Sequence, residues 1–291
     1  MADQESTVRA RELGAALRRA IGEARLEQKA VAHRLGWSQT KMSNMLSGRR
    51  GASVEDVAAV LAICGVKGAE RDRLLRICRE AGEPGWWQRH GPHLPKELRT
   101  FIEHEDVAVA IQSFEPQLVP GLLQTADYMR AVMQASATFP MHEIEERTAA
   151  RLARQAIFER LHPPRFDYFL HEFALRLPVG GPGVMCGQLH HLLRMSVRPY
   201  VRVRVIPASL GAHAGGSGAF QLLQFAEIRP VVYLEHVTAS LFLEDIEEIG
   251  AYRSILTSFD HTALDLPQSR ELISHLAREF DGTREDSHDR S

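Results

Sequence analysis

The sequence predicts two domains of different class, an all-α five-helix head followed by an α+β body with a small sheet and surrounding helices. Three observations carry this. A chain of 291 residues is long for one hydrophobic core and comfortable for two. Its first eighty residues place apolar side chains at helical spacing, and period-two alternation enters only beyond residue 165. Charge divides in the same way: residues 9–50 hold ten Lys or Arg against three acids, a surplus of +7, so the remainder carries −9 of the net −2. A basic head on an acidic body suits a polyanion-binding module joined to a second domain, and it equally suits a solvated helical surface.

Composition excludes bulk disorder, because 44% hydrophobic and 25% charged residues is the globular average. The longest clean apolar run, residues 57–64, is far below spanning length, and residues 1–12 lack the apolar centre of a secretory signal. A cytoplasmic protein with no membrane association is expected. Cys64, Cys78 and Cys186 match neither zinc nor disulfide spacing and are expected to be buried small hydrophobes.

The elements follow in order. Leu13, Leu17 and Ile21 repeat every four residues in a first helix; a second covers 27–35 and stops at Gly36. Ser38 caps a third that ends before Gly48. Ser53 caps a fourth, with Asp56 where a capping box more often has a longer acid, and a fifth covers 69–80. Pro84, Gly85, Gly91, Pro92 and Pro95 punctuate a linker at 82–98, where Trp86 and Trp87 either pack the domains together or form a binding patch.

The second domain, 99–282, opens with helices at 98–112, 121–134 and 143–160. Strands follow at 166–170, 201–206, 220–225 and 231–235. Val201, Val203 and Val205 alternate with Arg202 and Arg204 as in a half-buried strand. A helix at 184–195 lies between two strands, further helices cover 244–258 and 268–280, and a polar tail at 283–291 is expected to be disordered.

The richest segment is 28–46. Ala32 and Gly36, four residues apart, allow two helices to cross closely, and Val31, Leu35, Met42 and Met45 supply the contacts beneath. Ser38, Gln39, Thr40, Lys41, Ser43 and Asn44 are left at the outer start of the third helix. Gln and Asn can bridge the N6 and N7 edge of adenine, Lys can donate to guanine, and Ser or Thr can bond a base edge. Gln28 and Lys29 open the second helix, where free amides can hold a phosphate, and Arg49 and Arg50 follow the third as backbone clamps. The double-stranded DNA reading competes with a helix hairpin that binds only protein.

The order Gln28, Ala32, Gly36, Met42, Met45, then Ser47-Gly48-Arg49-Arg50 and the capped fourth helix, resembles the Xre/Cro/phage-repressor family over residues 13–66. The resemblance implies a lambda-repressor-like head. Glu27 departs from it, standing where the family often has Thr or Ser. The stretch 114–125, with Arg151-Leu152-Ala153-Arg154-Gln155, Glu172 and Val205-Ile206-Pro207, resembles the C-terminal domain of unknown function of actinobacterial Xre-type regulators over 103–280. That resemblance implies an antitoxin-like or developmental regulator similar to the streptomycete WhiJ group, with a small BldB-like partner protein.

Arg147, Arg151 and Arg154 form one helix face, with Glu143 and Glu172 as candidate partners. The stripe is either a structural ion-pair network or a pocket for an acidic ligand or partner segment. Gly215-Gly216-Ser217-Gly218 fails as a nucleophile elbow, since Ala219 holds the place of the last glycine. Gly181-Pro182-Gly183 fails as a dinucleotide loop, since Cys186 stands where a glycine belongs. Neither His104 with its acidic neighbours nor the pair His190 and His191 has metal-ligand spacing. No enzyme activity, cofactor or metal is expected. The expected function is a homodimeric transcriptional regulator on a palindromic operator whose second domain senses a ligand or partner; the alternative is an antitoxin-like protein that neutralises a neighbour-encoded partner.

Overall fold

A computed structural model describes residues 8–48, 52–82, 96–136, 140–236 and 239–288. The chain divides into two compact units, Met1–Val107 with Phe225–Arg229, and Ala108–Gln224 with Pro230–Ser291. The division falls after Val107 rather than in the linker expected at 82–98. Trp86 and Trp87 lie outside the described residues.

In the first unit the five expected helices are α1 Val8–Glu23, α2 Gln28–Arg34, α3 Gln39–Ser47, α4 Val54–Ile63 and α5 Gly68–Gly82. One core joins them. Leu13, Leu17 and Ile21 meet Val31, Ala32, Met42, Met45, Val57, Val60, Leu61 and Leu74, all buried. Each fully buried aliphatic side chain contributes about 1.5–3 kcal/mol. Gly14 sets the approach of α1 to α3, because a Cβ there would collide with the Leu46 carbonyl. A sixth helix, α6 Lys96–Val107, completes the unit. Its His104 is buried, with Nδ1 2.8 Å from the Thr100 carbonyl and Nε2 3.1 Å from an Arg11 nitrogen. Within the same unit, Glu227 binds Arg19 at 2.6 Å and Arg73 at 2.9 Å.

The second unit is built on a six-stranded mixed sheet, larger than expected. Its strands are β1 Ala110–Glu115, β2 Arg165–His171, β3 Val201–Ile206, β4 Phe220–Gln224, β5 Val231–Glu235 and β6 Ser240–Leu243, in the order β3-β2-β1-β4-β5-β6. Strands β1, β2 and β3 are parallel; β4, β5 and β6 continue antiparallel from β1. The helix expected over 98–112 therefore ends at Val107, and its last residues begin the central strand. With strands on both sides, β1 is buried at four of its six positions, but its sequence Ala-Ile-Gln-Ser-Phe-Glu mixes apolar and polar residues without a period of two, so nothing in it marks a strand.

The other helices are α7 Ala126–Ala135, α8 Ile144–Arg154, α9 Glu172–Arg176, α10 Pro182–Ser196, α11 Ile246–Thr262 and α12 Leu266–His288. The helix expected at 121–134 is broken, because Thr125 starts α7 anew by accepting the Tyr128 amide at 3.3 Å. Residues 281–288 continue α12 where a disordered tail was expected. The segment is polar, but it contains no proline to interrupt the hydrogen-bond ladder.

One sheet face packs Phe114, Phe169, Phe220, Leu222 and Val232 against Ile249, Leu256 and Phe259 of α11. Gly215 lies against Phe114 and Phe259, whose rings a Cβ would strike, so this glycine-rich turn serves packing. Strand β3 is not half-buried as its alternation suggested. Arg204 is 8% exposed and donates to the carbonyls of Asp260, Ala263 and Leu264, closing the C-terminus of α11. The three cysteines are free, and burial pushes the thiols of Cys64 and Cys78 up. Among the described residues no helix is long and apolar enough to cross a membrane.

Candidate nucleic-acid interface

The turn between α2 and α3 follows from two small residues. Ala32 is buried beneath the crossing, and Gly36 takes φ +66°, which returns the chain so that the Trp37 amide reaches the Ala32 carbonyl at 2.9 Å. Ser38 then caps α3, its Oγ accepting the Lys41 amide at 3.1 Å. Met42 and Met45 turn inward, leaving Ser38, Gln39, Thr40, Lys41 and Ser43 exposed and Asn44 half-buried. Arg18 of α1 donates to the Leu46 carbonyl at the other end of α3.

A cleft of about 340 Å³ opens beside this surface, lined by Ser38, Thr40, Lys41, Asn44, Met45, Ala52 and Asp56. Lys41 is less free than its sequence position suggested. Its Nζ lies 2.8 Å from Asp56 Oδ1 and 4.0 Å from the centroid of the Trp37 ring. Sequence reasoning missed both partners, although Asp56 gave a signal. Ser53 Oγ accepts the Asp56 amide at 3.1 Å, but the short acid side chain turns to α3. Gln28 and Lys29 are exposed on the first turn of α2, whose N-cap Glu27 makes no side-chain capping bond. Arg49 and Arg50 lie outside the described residues.

The acidic-ligand candidates in the second unit separate. Arg147 pairs with Glu143 at 2.7 Å along α8. Glu172 does not join the stripe; it opens α9, pairs with Arg176 at 2.7 Å and accepts the Ala208 amide at 2.9 Å. Burial pushes its carboxyl up, but the Ala208 amide and Arg176 outweigh this and hold it below its usual range. Arg151, also on α8, is half-buried. Burial, then the charges of Arg154 and Arg147, lowers its pKa.

Residues 98–275, more than half of the chain, match the model of a domain of unknown function, DUF5753. The chain belongs to the DUF5753 family. In this DUF5753 protein a helix-turn-helix domain precedes the family region, matching residues 12–74 and so taking in α2, the turn and α3. The α8 arginines and Glu172 all fall inside the DUF5753 portion. Neither the curated proteins nor the solved structures match the chain.

Proposed function

We propose that this DUF5753 protein is a transcriptional regulator that reads a palindromic operator as a homodimer and receives a ligand or partner through its second domain. The observation that carries the reading is the exposed polar row Gln39, Thr40, Lys41 and Ser43 on a capped helix within a helix-turn-helix match. A recognition helix contacts bases with the side chains of its N-terminal turns, and dimers place two such helices about 34 Å apart. Asn44 lines the cleft beside that row and is assigned to base reading. The chain is taken to be non-enzymatic, with binding as its whole chemistry. Its affiliation with actinobacterial Xre-type, WhiJ-like regulators is proposed on the 114–125 and 151–155 segments.

Asn44→Ala tests the assignment. It is expected to cost about 1–3 kcal/mol on the preferred duplex and to relax selection at one position in each half-site, measured by fluorescence anisotropy on a set of single-base variants. Equal weakening on every sequence would remove Asn44 from base reading.

A further inference from the structure

Among the described residues of the second unit, the buried oxygens Ser113 Oγ, Gln124 Oε1 and Thr148 Oγ1 have no hydrogen-bond partner. Their residues are 1%, 5% and 1% exposed. Native folds leave few buried polar atoms in this condition, and a bound group is one way they are satisfied. On α8 the half-buried Arg151 has no hydrogen-bond or ion-pair partner among the described residues, although Arg147 on the same helix has Glu143.

Hydrogen bonds and strand register link the elements that carry these groups. The Val119 amide donates to Tyr128 Oη at 3.2 Å, Gln124 Nε2 donates to the Val119 carbonyl at 2.7 Å, and Gln155 Nε2 donates to the Gln124 carbonyl at 2.7 Å. Loop 119–125 is thereby fastened to the C-terminal end of α8. Arg151 lies one turn before Gln155, and Thr148 three residues earlier, on the same face. Strand β1 ends beside this loop, since the Glu115 carboxyl lies close enough to the Tyr128 hydroxyl to raise its pKa once Glu115 is ionised. Ser113, two residues before Glu115, shares its sheet face and stands in register with Gln221 and Tyr233; Glu235 continues that face on β5 and acts on both Arg151 and Glu115. The end of β1 is also where the sheet diverges, with β2 and β3 on one side and β4, β5 and β6 on the other. Open sheets that contain parallel strands bind ligands at such points.

We propose that this junction binds a small organic anion, with Arg151 taking the anionic group and Ser113, Gln124 and Thr148 taking hydroxyl or amide hydrogens of the same molecule. Glu115 does not oppose the anion. Burial, with the Glu235 charge adding to it, pushes its carboxyl up to about 8, which disfavours its charged form near neutral pH. The site deepens the effector-receiving part of the proposed function and rests on it.

The test is calorimetry on the full-length protein without DNA, using gluconate and N-acetylglycine as probes, each against its neutral amide. Binding of at least one carboxylate is expected, with no heat from the amides and at least tenfold weakening in Arg151→Met. The variant without probe should melt close to or above the wild-type Tm, because Arg151 makes no direct ion pair and the burial cost of its charge is lifted while only the attraction of Glu235 is lost. A lower Tm would assign Arg151 to a structural network and overturn the proposal. So would silence from both carboxylates, an undiminished signal in Arg151→Met, or Arg151-dependent capture of a hexaglutamate peptide alone. DNA anisotropy with and without probe separates the two levels. Anion binding that leaves DNA affinity unchanged keeps the site and removes the sensor, whereas DNA binding without anion binding removes the site and keeps the regulator.

Discussion

Lys41 holds two partners, Asp56 and Trp37, which the proposed contact with DNA requires it to release or share. A half-exposed ion pair such as that with Asp56 contributes about 0–1 kcal/mol, and an exposed cation–π contact such as that with Trp37 about 0.5–1 kcal/mol. Both are small enough for phosphates or a guanine edge to outweigh. Asp56→Ala frees the lysine and removes an acid beside the interface. Affinity for all duplexes should rise about fivefold at low salt, with the gain shrinking as salt is added, in titrations at several ionic strengths. An unchanged affinity would place Asp56 beyond the reach of bound DNA. At this scale the sequence made the exposed polar row legible, because 3.6-residue spacing separates Met42 and Met45 from Thr40, Lys41 and Ser43. It hid the Asp56 contact, since a cap three residues after Ser53 is a local pattern and the ion pair spans 15 residues.

The helical head was readable element by element because each helix carries its own stripe and stop. Gly14 was not, since its importance depends on a backbone 32 residues away. Gly14→Ala forces α1 and α3 apart and is expected to cost about 1–3 kcal/mol in urea unfolding. Gly22→Ala, with open space around its Cβ position, should instead be neutral or gain up to about 1 kcal/mol. If the two variants behaved alike, close packing of α1 on Leu46 would be disproved. In the second unit, β1 and β6 escaped detection for opposite reasons. The first is buried in the sheet centre and has no polar alternation, while the second is a four-residue edge strand. Arg204 gave a false alternation, because its guanidinium is satisfied by the carbonyls ending α11 and so remains buried on a covered face.

At the scale of the whole molecule, charge and family membership point the same way. Residues 9–50 carry +7 in a chain of net −2, and the helix-turn-helix match lies over most of that segment. Sequence thus made the class of each domain and the helix-turn-helix legible. The α8 stripe was legible only in part, because the sequence does not tell which arginine is paired along the helix and which has no ion pair. Phosphate contacts alone can imitate recognition, so specificity must be separated from salt-dependent attraction. The measurement that does so is selection of bound duplexes from a random pool by the full-length protein at low and moderate salt. An inverted repeat with half-sites about one helical turn apart, recovered at both, is the predicted result. Unselective binding that vanishes at the higher salt would contradict the account of α3 as a reader of sequence.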